Sequence, residues 1–313
     1  MKVKIILQSL ILILTIGCTP QKSPEYKIAY NVLFDEKSDN YEIFVMDLDG
    51  GNKKNISKWK GVDWVYHAHK DKIFFISDRD TTHRLYFLYE MDGEGNNVRK
   101  ISDVRLRDSW FGSRKNGKEL IVNPHQSIDS LFHIIDLDGK IIRKFATGLP
   151  YNSDPCFSPD GKKIVFRGAN KKSKREKGFV DELYIIDETG ENLKQLTHYP
   201  ADDTTAEWHS YKAGPPIWNT AENFISYQSK QNGTYSLFAV TPDGKKQWKL
   251  TDNSLNEGWH AWSPDGKWLA IDLFDAKQTH CNIGLMDWGS KEMKVITDTS
   301  YSYQQAPVFI EMN

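Results

Sequence analysis

The chain has 313 residues, with 41 basic and 42 acidic side chains, a formal charge of −1 and a pI near 6.8. That balance leaves no electrostatic footprint for a nucleic acid partner. Three cysteines are too few for a disulfide framework, and the length suits one large all-β domain or two ordinary domains.

Residues 1–17 read as an export signal. Lys2 and Lys4 precede an apolar run at 5–16 that is too short for an ordinary membrane span. Thr15-Ile16-Gly17-Cys18 then resembles a bacterial lipobox. The resemblance implies cleavage before Cys18 and acylation of Cys18, with more than one acyl chain and therefore a lasting anchor. Thr19 is not Asp, which by the same resemblance favours the outer membrane; no acidic run follows, which favours its periplasmic side. Residues 18–24 read as a polar tether, so the membrane is met through the lipid alone.

From 25 to 313 the chain repeats itself. Residues 26–34 alternate apolar and polar as a strand does, with nothing before them to pair with. Ile43-Phe44-Val45-Met46-Asp47-Leu48-Asp49-Gly50 returns as Phe132-His133-Ile134-Ile135-Asp136-Leu137-Asp138-Gly139 and as Leu183-Tyr184-Ile185-Ile186-Asp187-Glu188-Thr189-Gly190, with weaker copies anchored at Asp92, Thr241 and Asp287. A second phrase, out of phase with the first, is Phe157-Ser158-Pro159-Asp160-Gly161-Lys162-Lys163-Ile164-Val165-Phe166. It returns as Trp262-Ser263-Pro264-Asp265-Gly266-Lys267-Trp268-Leu269-Ala270-Ile271. Ser, Pro and Gly in these places suit a type I turn between two strands. A period of roughly 45–55 residues is that of propeller blades. Second strands are predicted at 26–32, 72–77, 119–123, 163–168, 223–228 and 267–273. First strands are predicted near 64–67, 110–113, 155–158, 216–219, 260–263 and 307–310. The last of these has no second strand after it, and 26–34 has no first strand before it. The expectation is a six-bladed β-propeller of four-stranded antiparallel blades, closed by pairing of the N- and C-terminal strands. Ten Trp, many at repeat positions, suit packing between blades.

The Ser-Pro-Asp-Gly-Lys phrases at 158–162 and 263–267 resemble the repeat of TolB-like propellers. The resemblance implies a propeller standing alone, without the extra N-terminal domain of TolB, and it does not imply a role in the Tol system.

The repeat also predicts where a site lies. The two short turn types fall on one face, and the longer connections, 197–216, 167–181 and 273–281, gather on the other, where binding usually sits. The first carries Glu207, Trp208, His209, Tyr211 and Lys212. Repeat alignment places His260 at the start of an inner strand on the same face, beside Glu257 and Trp259. Trp64, Trp110 and Asp154 fall at comparable places, with Arg107 in a nearby connection. Such aromatic and charged groups suit an oligosaccharide, and a peptide or protein is the other class of partner. His209, His260 and Glu207 are also acceptable ligands for a divalent metal such as Mn, Ca or Zn. TolB-like rings include oligogalacturonate lyase, so an enzyme acting on acidic oligosaccharides is the alternative, with His209 and His260 catalytic and Arg107 or Lys212 as the cation. Alignment puts His67 and His69 in a turn on the far face, away from that pair. Cys156 and Cys281 read as packed residues, and the basic run at 171–177 as a solvated loop.

Overall fold

The computed structural model describes residues 25–172, 180–199, 207, 209–252 and 254–312. The signal and tether, Cys18, Trp208 and most of the basic run lie outside the described residues. Six four-stranded antiparallel sheets make a ring of blades, and the described residues contain no helix. From the axis outward, blade 1 is Gln304–Met312, Glu25–Asp35, Asn40–Asp47 and Lys54–Asn55. Blade 2 is Asp63–His69, Lys72–Ser77, Tyr86–Asp92 and Arg99–Leu106, and blade 3 is Gly112–Arg114, Glu119–Val122, Phe132–Asp136 and Ile141–Phe145. Blade 4 is Tyr151–Phe157, Lys163–Ala169, Glu182–Asp187 and Lys194–Gln195. Blade 5 is Ile217–Asn219, Phe224–Gln231, Thr234–Val240 and Gln247–Lys249, and blade 6 is Asn256–Trp262, Trp268–Phe274, Cys281–Asp287 and Met293–Val295. The ring closes as the sequence predicts: Glu25 faces Met312, Lys27 faces Ile310 and Ala29 faces Val308.

The turns are built by the residues that announced them. In Ser158-Pro159-Asp160-Gly161 the Gly161 amide reaches the Ser158 carbonyl at 2.8 Å, while the Ser158 hydroxyl donates to Asp160 and accepts from the Lys163 amide. Ser263 repeats all three bonds with Asp265, Gly266 and Trp268. The Asp-x-Asp-Gly turns do a second job. Gly50 of blade 1 has φ +83°, and a Cβ there would stand 2.2 Å from the Ile296 carbonyl oxygen of blade 6. Gly139 of blade 3, at φ +76°, sits equally close to Ile101 of blade 2. Glycine is needed for the turn and for the approach of the neighbouring blade.

The outer edges of blades 1, 4 and 6 are hooked by an apolar residue followed by Ser or Thr. The Ile56, Leu196 and Ile296 amides bond the carbonyls of Ile43, Leu183 and Ile283. Ser57, Thr197 and Thr297 then accept the amides of those same three residues at 2.8–2.9 Å. The hydroxyls donate in turn to Glu42, Glu182 and Asn282. Between blades lie apolar seams. One joins Tyr26, Ile28, Tyr30 and Val32 of blade 1 to Ala270, Ile283 and Leu285 of blade 6. Each fully buried side chain of this size is worth about 1.5–3 kcal/mol.

The inner strands of blades 1, 4 and 6 begin earlier than their alternation suggests: at Gln304, Tyr151 and Asn256 instead of 307, 155 and 260. A bulge is the reason. Register shifts fall between Ser153 and Cys156, between Glu257 and His260, and opposite Ala29 and Asn31 for the terminal strand. Asp154 and Ala306 take φ near +54° and +52° there. An inserted residue breaks the period-2 pattern that reveals a strand, so only the half beyond the bulge is legible.

Candidate functional site

The bulges decide what occupies the axis. Trp64 of blade 2, Trp110 at the entry to blade 3 and Trp259 of blade 6 meet there. The Trp110 and Trp259 rings are 4.9 Å apart, Trp64 and Trp259 stand edge to face at 5.8 Å, and Tyr66 packs on Trp110 at 4.3 Å. The space enclosed by Trp110, Ile217, Gln228, Trp259 and His260 has no room for a water molecule. The three indoles therefore plug the channel. Trp64 and Trp110, expected as ligand platforms on the loop-bearing face, pack on Trp259 and Tyr66, and Trp110 also lines the space below; Trp259 belongs to the plug and also faces the space above it.

Below the plug, toward the short turns, is a cavity of about 290 Å³. His260 opens into it, together with His67 and His69 and with Pro159, Thr220 and Pro264 of the turn face. This corrects the expected placement. With its strand starting four residues earlier, at Asn256, His260 lies deep in the channel instead of at the loop-bearing rim. It is 4% exposed, its Nε2 is 2.7 Å from the Ser226 hydroxyl, and burial pushes its imidazole down to about 3. His67 is held the same way beside the Ser113 hydroxyl, burial and then His69 pushing it down to about 3. Both are neutral at ordinary pH. His67 and His69 thus share a cavity with His260, which the sequence alignment had kept apart from them.

His209 is on the opposite side. It stacks on Tyr235, and its Nε2 lies 2.8 Å from Glu207 and 2.9 Å from Lys230, near the blade 5 hairpin that points to the loop face. Glu207 also takes the Lys230 ammonium at 2.8 Å, a bond that holds its carboxyl below the usual range. His209, His260 and Glu207 are therefore not one constellation. Among the described residues, no three His, Cys, Asp or Glu side chains are grouped to hold a metal ion.

Two further candidates are braces. Glu257 is fully buried; it accepts the Leu237 amide at 3.0 Å and the Thr251 hydroxyl, doing for blade 5 what Glu42 and Glu182 do elsewhere. Asp154 is 3% exposed and accepts from the Ser109 hydroxyl and the Trp110 amide, each at 2.9 Å, with Arg167 at 2.9 Å. Arg167 in turn meets Asp181 at 2.8 Å, and Arg107 donates to the Asn152 carbonyl at 3.0 Å. These bonds tie blade 3 to blade 4. Lys212 is half-buried beside Tyr211, whose amide bonds the Lys230 carbonyl. Cys156 and Cys281 are free thiols, one lining the lower cavity and the other the space above the plug.

That upper space is the site the structure offers. A cavity of about 220 Å³ opens on the loop-bearing face between blades 5, 6 and 1. Trp259, Tyr235, Phe274 and Tyr303 wall it, Gln228 and Gln305 flank it, and Asp272 and Cys281 lie in its lining. The Tyr303 hydroxyl donates to the Gln278 carbonyl at 2.7 Å and fixes the outer rim. Asp272 is 2% exposed; it accepts the Ala306 amide at 2.8 Å and the Trp259 amide. Burial holds its carboxyl well above the usual range, and burial and then Asp272 push up the Cys281 thiol. Sequence reasoning found Trp259 here and missed the rest. One signal was present: Asp272 interrupts the apolar run Leu269-Ala270-Ile271.

The whole arrangement has close structural counterparts. The chain aligns over 90% of its length with TolB from Acinetobacter baumannii, at 15% identity and a TM-score of 0.66. The chain has the TolB-like propeller fold. It spans 66% of that TolB and 99% of a putative TolB from Agrobacterium tumefaciens, the latter at 13% identity and a TM-score of 0.62. The same ring occurs in a nidogen/laminin complex, with 91% of this TolB-like propeller aligned at 10% identity and a TM-score of 0.62. No family model matches the sequence, and no curated protein matches it.

Proposed function

We propose that the protein is a lipid-anchored binding module of the bacterial cell envelope that holds a protein partner on its loop-bearing face. The observation that carries this reading is the open cavity above a sealed channel: its walls expose aromatic and amide groups on the face where the long connections gather. The neighbour from the nidogen/laminin complex lends support as an example of the fold in a complex of two proteins. A glycan is favoured less, because of the three indoles that would have stacked on a sugar Trp64 is buried and Trp110 lines the space below the plug, away from the loop-bearing face. The lyase reading loses its residues, since His209 and His260 lie on opposite sides of that plug.

Two experiments test this. A photo-crosslinking residue at His280, exposed in the loop-face connection, should give ultraviolet-dependent protein adducts in cells. The same residue at Lys245, exposed in a turn on the other face, should give none. Equal labelling from both positions would refute the face assignment. The envelope placement is tested separately: labelled fatty acid should enter the protein, and Cys18→Ser should abolish it.

A further inference from the structure

The cavity above the plug contains a charge problem that the fold leaves unsolved. Asp272 sits in an inner layer of blade 6 with two backbone amides as its donors, and among the described residues no cation pairs with it. Elsewhere in the ring buried carboxylates meet a cation or a side-chain hydroxyl. Asp63 has Arg79 and Ser77, Asp154 has Arg167, and Glu182 has the Thr197 hydroxyl and the Tyr199 amide. Asp272 differs from them in lining an opening to solvent. Its neighbours are aromatic: Trp259, Tyr235, Phe274 and Tyr303 surround the same space. Ring faces around a carboxylate favour a cation, through charge pairing at the floor and cation–π attraction at the walls. The volume, about 220 Å³, is below the roughly 300–1,000 Å³ of drug-sized pockets and suits a single long side chain.

We propose that this cavity receives the basic side chain, lysine or arginine, of a protein partner, with Asp272 as its counter-charge and Trp259 and Tyr235 as its aromatic walls. The inference rests on the reading of the loop-bearing face as a protein-binding face and names what that face selects. Burial holds the Asp272 carboxyl well above its ordinary range, and the arriving cation supplies the compensation that the fold omits. The two amide sides, Gln228 and Gln305, add acceptors for the remaining N–H groups.

The test uses small probes on the purified full-length protein: arginine and lysine capped at both ends as amides, and norleucine capped in the same way. Calorimetry or titration of the Trp259 indole resonance should show binding of the basic probes at least tenfold tighter than norleucine. Asp272→Asn should reduce that binding at least tenfold. A second variant, Tyr235→Leu, leaves the carboxylate and its donors in place, and should weaken the basic probes about threefold without changing norleucine. Equal binding of norleucine, or unchanged affinity in Asp272→Asn or in Tyr235→Leu, overturns the proposal. Butylguanidine binding more tightly than capped arginine would overturn a protein source for the cation. If the basic probes fail while cross-linking from His280 persists, the protein-binding reading stands and only the cavity's occupant is lost.

Discussion

At the scale of single residues, this ring hides its acids in order to join its strands. Glu257 looked like a rim ligand because it neighbours Trp259 and His260, but its carboxylate closes the hook of blade 5. Glu257→Ala strands a buried amide and a buried hydroxyl, so it should cost about 1–3 kcal/mol in urea unfolding. Glu182 carries a pH signature. Burial pushes its carboxyl up to about 7 from an ordinary 4.5, against the pull of Thr197 and Tyr199. Between those values the folded protein keeps a proton that the unfolded chain has released. Its stabilisation is therefore complete below about pH 4.5 and is lost as pH rises through 7, a change of about 3 kcal/mol. Unfolding midpoints of the parent and of Glu182→Gln, compared at pH 4.5 and 7.5, should show the parent losing ground to the variant as pH rises.

At the scale of elements, the legible parts are those governed by local rules. Ser158, Asp160 and Gly161 announce a turn by their own chemistry, and the turn forms as they announce it. Gly139 combines a left-handed φ with contact across a blade boundary, so Gly139→Ala should cost at least about 2 kcal/mol with no change in the denaturant slope. The bulges were not legible. Nothing local marks Asp154 or Ala306 as a left-handed residue, because neither is Gly or Asn in a turn context; their conformation is imposed by the neighbouring blade, through Ser109 in one case and Asp272 in the other. That single omission shifted His260 by several residues and with it the expected metal and catalytic set. The Trp cluster was equally hidden, since three residues far apart in the chain meet only once the ring closes.

At the scale of the whole molecule, closure is the structural commitment. The terminal strand Gln304–Met312 supplies the innermost strand of blade 1, and its partner Glu25–Asp35 comes from the other end of the described chain. Deleting 304–312 uncovers one strand edge and opens two apolar seams, so the product should elute as aggregate in size-exclusion chromatography. Because Glu25 faces Met312, the two ends can be joined and the ring opened elsewhere. A permutant cut at the exposed Asn232-Gly233 hairpin should elute in size-exclusion chromatography as the parent does and unfold in one transition.

The point where the described chain begins also sets a direction. Glu25 lies beside Tyr26, Asp49, Asp265 and Lys267, among the tight turns and away from the cavity above the indoles. Seven peptide steps separate it from Cys18, a leash of at most about 25 Å when taut. If Cys18 is acylated as proposed, that leash ties the tight-turn face to the bilayer and leaves the aspartate-floored cavity on the side turned away from it, toward a visitor from the aqueous compartment.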